Sequence, residues 1–279
     1  MLNFVKNNII CHLYLNIETE FKRIGEWETD GRTKTHNMVV IKYNNVLKKD
    51  IQILSPEKMR NGMGVICKIS PVQIQLPEMR LPWKCAPLPP MSGSGPPACK
   101  LALAFEDQVQ DLVCGEQKTL AAMLKRIDKQ ILDHVVANKT VFFPKKAPSD
   151  SLLREELFYT SIKEHTDSKY PPTFQVKVPF EARVTVNQTN ETEDEPSTKR
   201  VKMDVATEET FDLLVPCYSK EGFKMSPDKV LNKGNKVIAM VSPQHIWQIN
   251  NRCGITWKIS KCMATVIEEN CSSFDFDIS

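Results

Sequence analysis

The chain has 279 residues, 41% hydrophobic and 25% charged, the composition of a folded globular protein and not of a disordered or collagen-like one. Its 37 Lys and Arg against 34 Asp and Glu leave a net charge of +3, so global basicity marks no polyanion partner and any such surface must come from local arrangement. Nine cysteines, an odd total with no C-x-x-C pair and no evident secretion signal, exclude the usual zinc spacings and point to reduced thiols inside a cell.

Residues 9–17 are apolar but broken by His12, Tyr14 and Asn16, too short and too polar for a membrane span. Residues 1–50 read as an N-terminal extension of unassigned role, and 51–267 as one domain. Residues 65–69 and 72–76 alternate as strands. Residues 86–98 hold five Pro and two Gly, a flexible or polyproline-like loop, and 100–105 is a further strand. Phe105, Val109, Leu112 and Val113 have helical spacing, in a run expected to end at Gly115. Leu120, Met123, Leu124, Ile127, Ile131 and Val135 then form the stripe of an amphipathic helix packed on a sheet. Residues 152–163 suit a short helix.

Across 173–179, Phe174, Val176 and Val178 share one strand face while Gln175 and Lys177 share the other. Residues 183–186 alternate again. The charged insertion 187–204 carries Glu191, Glu193, Asp194 and Glu195, then a basic cluster. Within that cluster Lys199, Arg200, Val201 and Lys202 resemble a nuclear-import signal, with Pro196 keeping the segment extended. Residues 211–218 suggest another strand.

Residues 236–267 are the stretch around which the rest is arranged. An apolar run from Val237 to Val241 leads through Ile246, Trp247 and Ile249 to a turn at Asn250, Asn251, Arg252, Cys253 and Gly254. The return leg puts Ile255, Trp257 and Ile259 on one face and Thr256, Lys258 and Ser260 on the other. After Ser260 the apolar phase slips to Cys262, Ala264 and Val266, the mark of a bulge. The reading is a long, strongly bent hairpin, and the sum is a mainly β (α+β) domain in which short strands surround inserted helices.

Three segments occur in an order that resembles a known family. They are Gln73-Ile74-Gln75-Leu76-Pro77-Glu78-Met79-Arg80-Leu81-Pro82-Trp83, Tyr170-Pro171-Pro172-Thr173-Phe174-Gln175-Val176-Lys177, and Ile246-Trp247 with Gly254-Ile255-Thr256-Trp257-Lys258-Ile259. They resemble the OB-fold single-stranded DNA-binding proteins of podovirus-like phages and large eukaryotic DNA viruses. The resemblance implies an OB-like open β-barrel with inserted helices, a sheet face that binds single-stranded DNA, and an acidic C-terminal tail that docks replication proteins. Two features depart from the family: Lys84 follows Trp83 where a Gly is usual, and the Pro-rich loop is longer.

Single strands are held by stacking bases on aromatic faces and by placing Lys and Arg along the phosphates. The candidates are Arg80, Trp83, Lys84, Lys177, Arg183, Trp247, Arg252 and Lys258. Alternation supports Lys177 and Lys258 best, since each lies opposite an apolar face. Trp257, between Ile255 and Ile259, reads as core, Trp83 as exposed, and Trp247 as either. The tail 268–279 alternates Phe274, Asp275, Phe276 and Asp277, a pattern suited to docking on a basic partner.

No P-loop, nucleophile elbow or H-E-x-x-H motif is present, and the five His are scattered. The expectation is therefore a non-enzyme without cofactor or metal. It would be a sequence-tolerant single-stranded DNA-binding protein of replication, recombination or repair in the nucleus, viral or virus-derived. Its partners would be single-stranded DNA, replication proteins through the tail, an import receptor and, as an open question, further copies of itself, with no membrane. An OB-fold adaptor without nucleic-acid binding and an RNA-binding protein are the alternatives.

Overall fold

The computed structural model describes residues 39–59, 64–88, 98–106, 113–167, 169–186 and 207–266. In chain order, β1 (Val40–Lys42), β2 (Ile53–Lys58), β3 (Gly64–Ile69) and β4 (Gln73–Arg80) come first. The two-residue β5 (Pro87–Leu88) and β6 (Ala98–Ala104) precede the one long described helix, α1 (Val113–Ala137). Then follow β7 (Phe158–Tyr159), β8 (Ile162–Lys163), β9 (Thr173–Lys177), β10 (Phe180–Val186) and β11 (Thr207–Leu213). The chain closes with β12 (Cys217–Tyr218), β13 (Lys224–Met225), β14 (Lys236–Ile249) and β15 (Arg252–Val266).

The protein is mainly β, and five of its strands pair in a closed circuit. β14 is antiparallel to both β15 and β4, β4 to β6, and β6 to β9, and β9 returns to β15 in parallel. This ring with a helix inserted in the chain has the OB-like character that the sequence led us to expect. β3 and β2 extend the sheet from the far end of β14, and β12 and β13 extend it from β15. β10 and β11 form a separate two-stranded ribbon around the charged insertion.

β14 serves three neighbours because it bends. Val237 to Val241 pair with β4, whereas His245 to Ile249 pair with β3. The changeover falls at Pro243, which has no N–H for the ladder, and the register with β15 shifts there. The hairpin turn is tighter than the sequence suggested. Only Asn250 (φ 50°) and Asn251 (φ 63°) lie outside the ladder, the left-handed pair that a two-residue type I′ turn requires. The bulge expected at Ser260 is present: Val241 pairs with Ile259 and Met240 with Lys261, so Ser260 is skipped, and its hydroxyl donates to Met240 O at 3.1 Å.

Inside the ring lie Ile74, Leu101, Leu103, Phe174, Val176, Trp257 and Ile259, all buried. The α1 stripe of Leu120, Met123, Leu124, Ile127, Ile131 and Val135 is buried in the same core. Each such side chain contributes on the order of 1.5–3 kcal/mol of transfer free energy. That sum explains a correction: the helix runs through Gly115 instead of ending there, since one glycine costs only about 1 kcal/mol. Residues 107–112 of the expected preceding helix lie outside the described residues. The short helix expected over 152–163 is also corrected, because the helical turns stop at Leu157 and β7 and β8 follow. Those strands fill the gap between β15 and β9, where pairing outweighs helical spacing.

The expected boundary at residue 50 falls inside the folded unit. β1 pairs in parallel with Gln73 to Gln75, Tyr43 and Val46 are buried, and Gln130 Nε2 donates to Ile51 O at 2.9 Å. Cys67, Cys85, Cys99, Cys217, Cys253 and Cys262 are free and buried.

One polar network crosses this core. Asp128 of α1 is 6% exposed and accepts from the Ser161 N–H at 2.8 Å and from its hydroxyl at 2.6 Å. Ser161 Oγ in turn accepts from Trp257 Nε1 at 2.9 Å, which ties the helix, the β7–β8 segment and β15 together. Burial raises the Asp128 carboxyl from 3.8 to about 6, against the lowering effect of the two Ser161 hydrogen bonds. The folded state therefore holds this proton more tightly than the unfolded chain does. Its stabilising effect is complete below about 3.8 and is lost as pH rises through about 6. Asp128→Asn removes the titration. Urea unfolding from pH 3.5 to 7 should show the variant gaining on the wild type by on the order of 2–3 kcal/mol, and a gap independent of pH would contradict this.

Candidate nucleic-acid interface

Strand alternation gives the ring an outer face, and register decides which side chains meet on it. Lys177 of β9 pairs with Lys100 of β6 on one side and with Lys258 of β15 on the other. Their strand neighbours Leu101, Val176, Trp257 and Ile259 point into the core. Three ammonium groups thus stand in one row across three adjacent strands, with no ion-pair partner among the described residues. Directly opposed like charges destabilise a sheet. Burial, and then Lys100, lower the pKa of Lys177. His245 of β14 continues the basic zone: burial and then Lys177 lower its pKa, and it pairs with Lys68 of β3. Lys68 is itself joined to Glu57 at 3.3 Å.

A second row, nearer the hairpin turn, is aromatic. Trp247 of β14 pairs with Gly254 of β15, and Gly254 with Tyr159 of β7. Gly254 is needed here for space and not for the turn. A Cβ at this position would lie 3.0 Å from Trp247 Cζ2 and 3.1 Å from Tyr159 Cβ and O. Without one, the Trp247 and Tyr159 rings approach to 5.7 Å at 40°. Arg252 caps the group, its guanidinium 5.3 Å from the Tyr159 centroid and Nη1 donating to the Tyr159 hydroxyl. Tyr159 is 46% exposed and Trp247 is half-buried, so the platform has an open side.

A third group surrounds Trp83. Its ring lies 5.5 Å from His165 and 6.1 Å from Tyr170, and His165 Nε2 is hydrogen-bonded to Thr173 Oγ1 at 3.2 Å. Lys84 is exposed beside it. Arg80 is exposed at the end of β4 but is joined to Glu106 at 3.3 Å, so its charge is already balanced.

The structure thus brings Lys177, Lys258, Trp247 and Arg252 onto one face. Trp83 and Lys84 form a separate corner, and Arg80 sits in an ion pair. Arg183 lies on the β10–β11 ribbon opposite Thr210, apart from the ring. Trp257 is core: it is 2% exposed and packs edge-on against Phe174 at 5.3 Å. Lys199, Arg200, Val201 and Lys202, and the tail with Phe274, Asp275, Phe276 and Asp277, lie outside the described residues. Sequence reasoning missed Lys100, Tyr159 and His245. Lys100 was legible from the alternation Lys100-Leu101-Ala102-Leu103, whereas Tyr159 was hidden by the helical reading of its segment. Among the described residues, no group of three His, Cys, Asp or Glu side chains could hold a metal ion.

No family model matches the chain, and no curated protein does. Among solved structures it is similar to the single-stranded DNA-binding protein from bacteriophage Enc34 in complex with ssDNA. That match has TM-score 0.36 and 14% identity, covering 77% of this chain and 97% of that one. It is also similar to gp2.5, a single-stranded DNA-binding protein encoded by bacteriophage T7, at TM-score 0.42 and 12% identity, covering 74% of this chain and 97% of that one. TM-scores below 0.5 describe distant likeness, and what this surface does follows from its own residues.

The role of Gly254 is open to test. Gly254→Ala should separate Trp247 from Tyr159, lower the unfolding free energy by about 1–3 kcal/mol, and change tryptophan emission. Unchanged emission and stability would show that the close approach carries no constraint.

Proposed function

We propose that the outer face of the ring binds single-stranded nucleic acid, DNA by preference, with little sequence selectivity and without catalysis. The observation that carries this reading is the register row Lys100–Lys177–Lys258 beside the open Trp247–Tyr159 platform. Unpaired like charges in adjacent strands cost stability in the free protein, and a phosphate backbone relieves that cost. An open indole and phenol offer stacking faces that every base can use, worth about 1–3 kcal/mol per base. Arg252, already over the Tyr159 ring, adds a cation at the same place.

A duplex stacks its own bases and presents no free π-face, so a platform of this kind favours unpaired strands. Proteins of this chemistry protect exposed strands during replication, recombination or repair, and we assign this chain to that work. The cluster Lys199, Arg200, Val201 and Lys202 supports a nuclear location through an import receptor, and the tail with Phe274, Asp275, Phe276 and Asp277 supports docking on a basic replication partner.

Gel shift with oligo-dT, duplex DNA and RNA at two salt concentrations tests the reading. Tight, salt-sensitive preference for oligo-dT is expected. No binding even at low salt by protein lacking 268–279 would favour the adaptor, and preference for RNA would move the assignment to that polymer. Lys177→Ala and Lys258→Ala should each reduce the slope of log affinity against log salt by about 0.7, whereas Trp247→Ala should weaken binding ~5–150-fold with the slope kept. For localisation, Lys199→Ala with Arg200→Ala and Lys202→Ala should leave a fluorescent fusion of the full chain in the cytoplasm. Undiminished nuclear signal would refute the import role.

A further inference from the structure

We propose that Trp83, His165 and Tyr170 form a second stacking subsite at the corner beside that face, so that one DNA strand is gripped at two separated points. This rests on the single-strand reading above and adds to it a minimum length of ligand.

Trp83 is 40% exposed and Tyr170 48% exposed, and the backbone around them is held by hydrogen bonds. Leu81 N–H donates to Asn235 O at 2.9 Å and Cys85 N–H to Leu231 O at 2.9 Å, so Trp83 projects from a short segment fixed at both ends. Tyr170 is followed by two prolines, and Phe105 N–H donates to Pro172 O at 2.9 Å. His165 completes a triangle with the two rings, 5.5 Å from Trp83 and 6.2 Å from Tyr170, and is anchored to Thr173 Oγ1 at 3.2 Å. A rigid, half-open aromatic group is pre-organised for a planar ligand, which then loses little entropy on binding.

Its place on the fold makes the ligand a continuation of the same strand. Thr173 and Lys177 lie on one face of β9, four residues and about 13 Å apart. The two aromatic groups are also linked by one short piece of chain. Tyr159 belongs to the first platform, and Lys163, exposed and four residues on, pairs with Thr173 next to the second. Four residues span at most about 14 Å. A polynucleotide of the length that one such domain covers, about 4–16 nucleotides, reaches from one group to the other, and Lys163 faces its phosphates on the way.

The test measures affinity by fluorescence anisotropy for oligo-dT of about four and about sixteen nucleotides, and takes the ratio of the two. In the wild type the longer strand should bind far more tightly. Trp83→Ala with Tyr170→Ala should reduce that ratio about tenfold or more, while Trp83→Phe with Tyr170→Phe keeps most of it. Trp247→Ala should weaken both lengths and leave the ratio closer to that of the wild type. A ratio unchanged in the alanine variant, with Trp247→Ala still harmful, would overturn the second subsite and spare the first. Equal loss at both lengths in the phenylalanine variant would mean that these rings only hold the fold, and would also overturn it. A wild type that binds neither oligomer removes the underlying reading, a result distinct from both.

Discussion

One parallel pair, Lys177 with Lys258, closes the ring. The other four contacts in the circuit are antiparallel, so this is its one parallel seam. Two things follow from its register. The core side chains Val176, Trp257 and Ile259 meet inside, and the lysines that alternate with them are forced together outside. A slip by one residue would exchange the two sets, placing ammonium groups in the core. The row of lysines is thus a consequence of how the core packs, and the protein carries its electrostatic cost wherever the seam forms.

Other parts of the molecule support that seam from within. β9 and β15 diverge beyond it, and the β7–β8 segment fills the opening. Ser161 holds this segment to Trp257 on one side and to Asp128 of α1 on the other. The helix therefore acts on the outer face indirectly, by fixing the segment that presents Tyr159. Sub-ångström placement also matters on the outer side. Only a residue without a Cβ lets Trp247 lie across β15 against Tyr159, so Gly254 sets the platform while contributing no side chain.

The sequence made much of the fold legible where periodicity was long. The apolar run of β14, the alternation of β15, the slip after Ser260 and the helical stripe from Leu120 to Val135 were each legible from hydrophobic patterning over many residues. Lys177 and Lys258 were legible for the same reason. Short elements were not. Two strands of two residues each, β7 and β8, carry no periodic signal, and their pairing depends on a gap that exists only after the ring has closed. Tyr159 was lost with them. Gly254 was read as turn chemistry because a glycine beside two asparagines suggests it. The asparagines alone make the turn, and the glycine answers to a steric demand from a ring seven residues away in sequence. Arg80 looked like a free cation because Glu106, its partner, lies on another strand's end.

The most direct measurement is ultraviolet cross-linking of the full chain to oligo-dT, followed by mass spectrometry of the attached peptides. The account predicts adducts within 242–259 and 158–165, with Trp247 and Tyr159 prominent. Adducts confined to the 180–213 ribbon or to residues 1–38, with none on the ring, would contradict it.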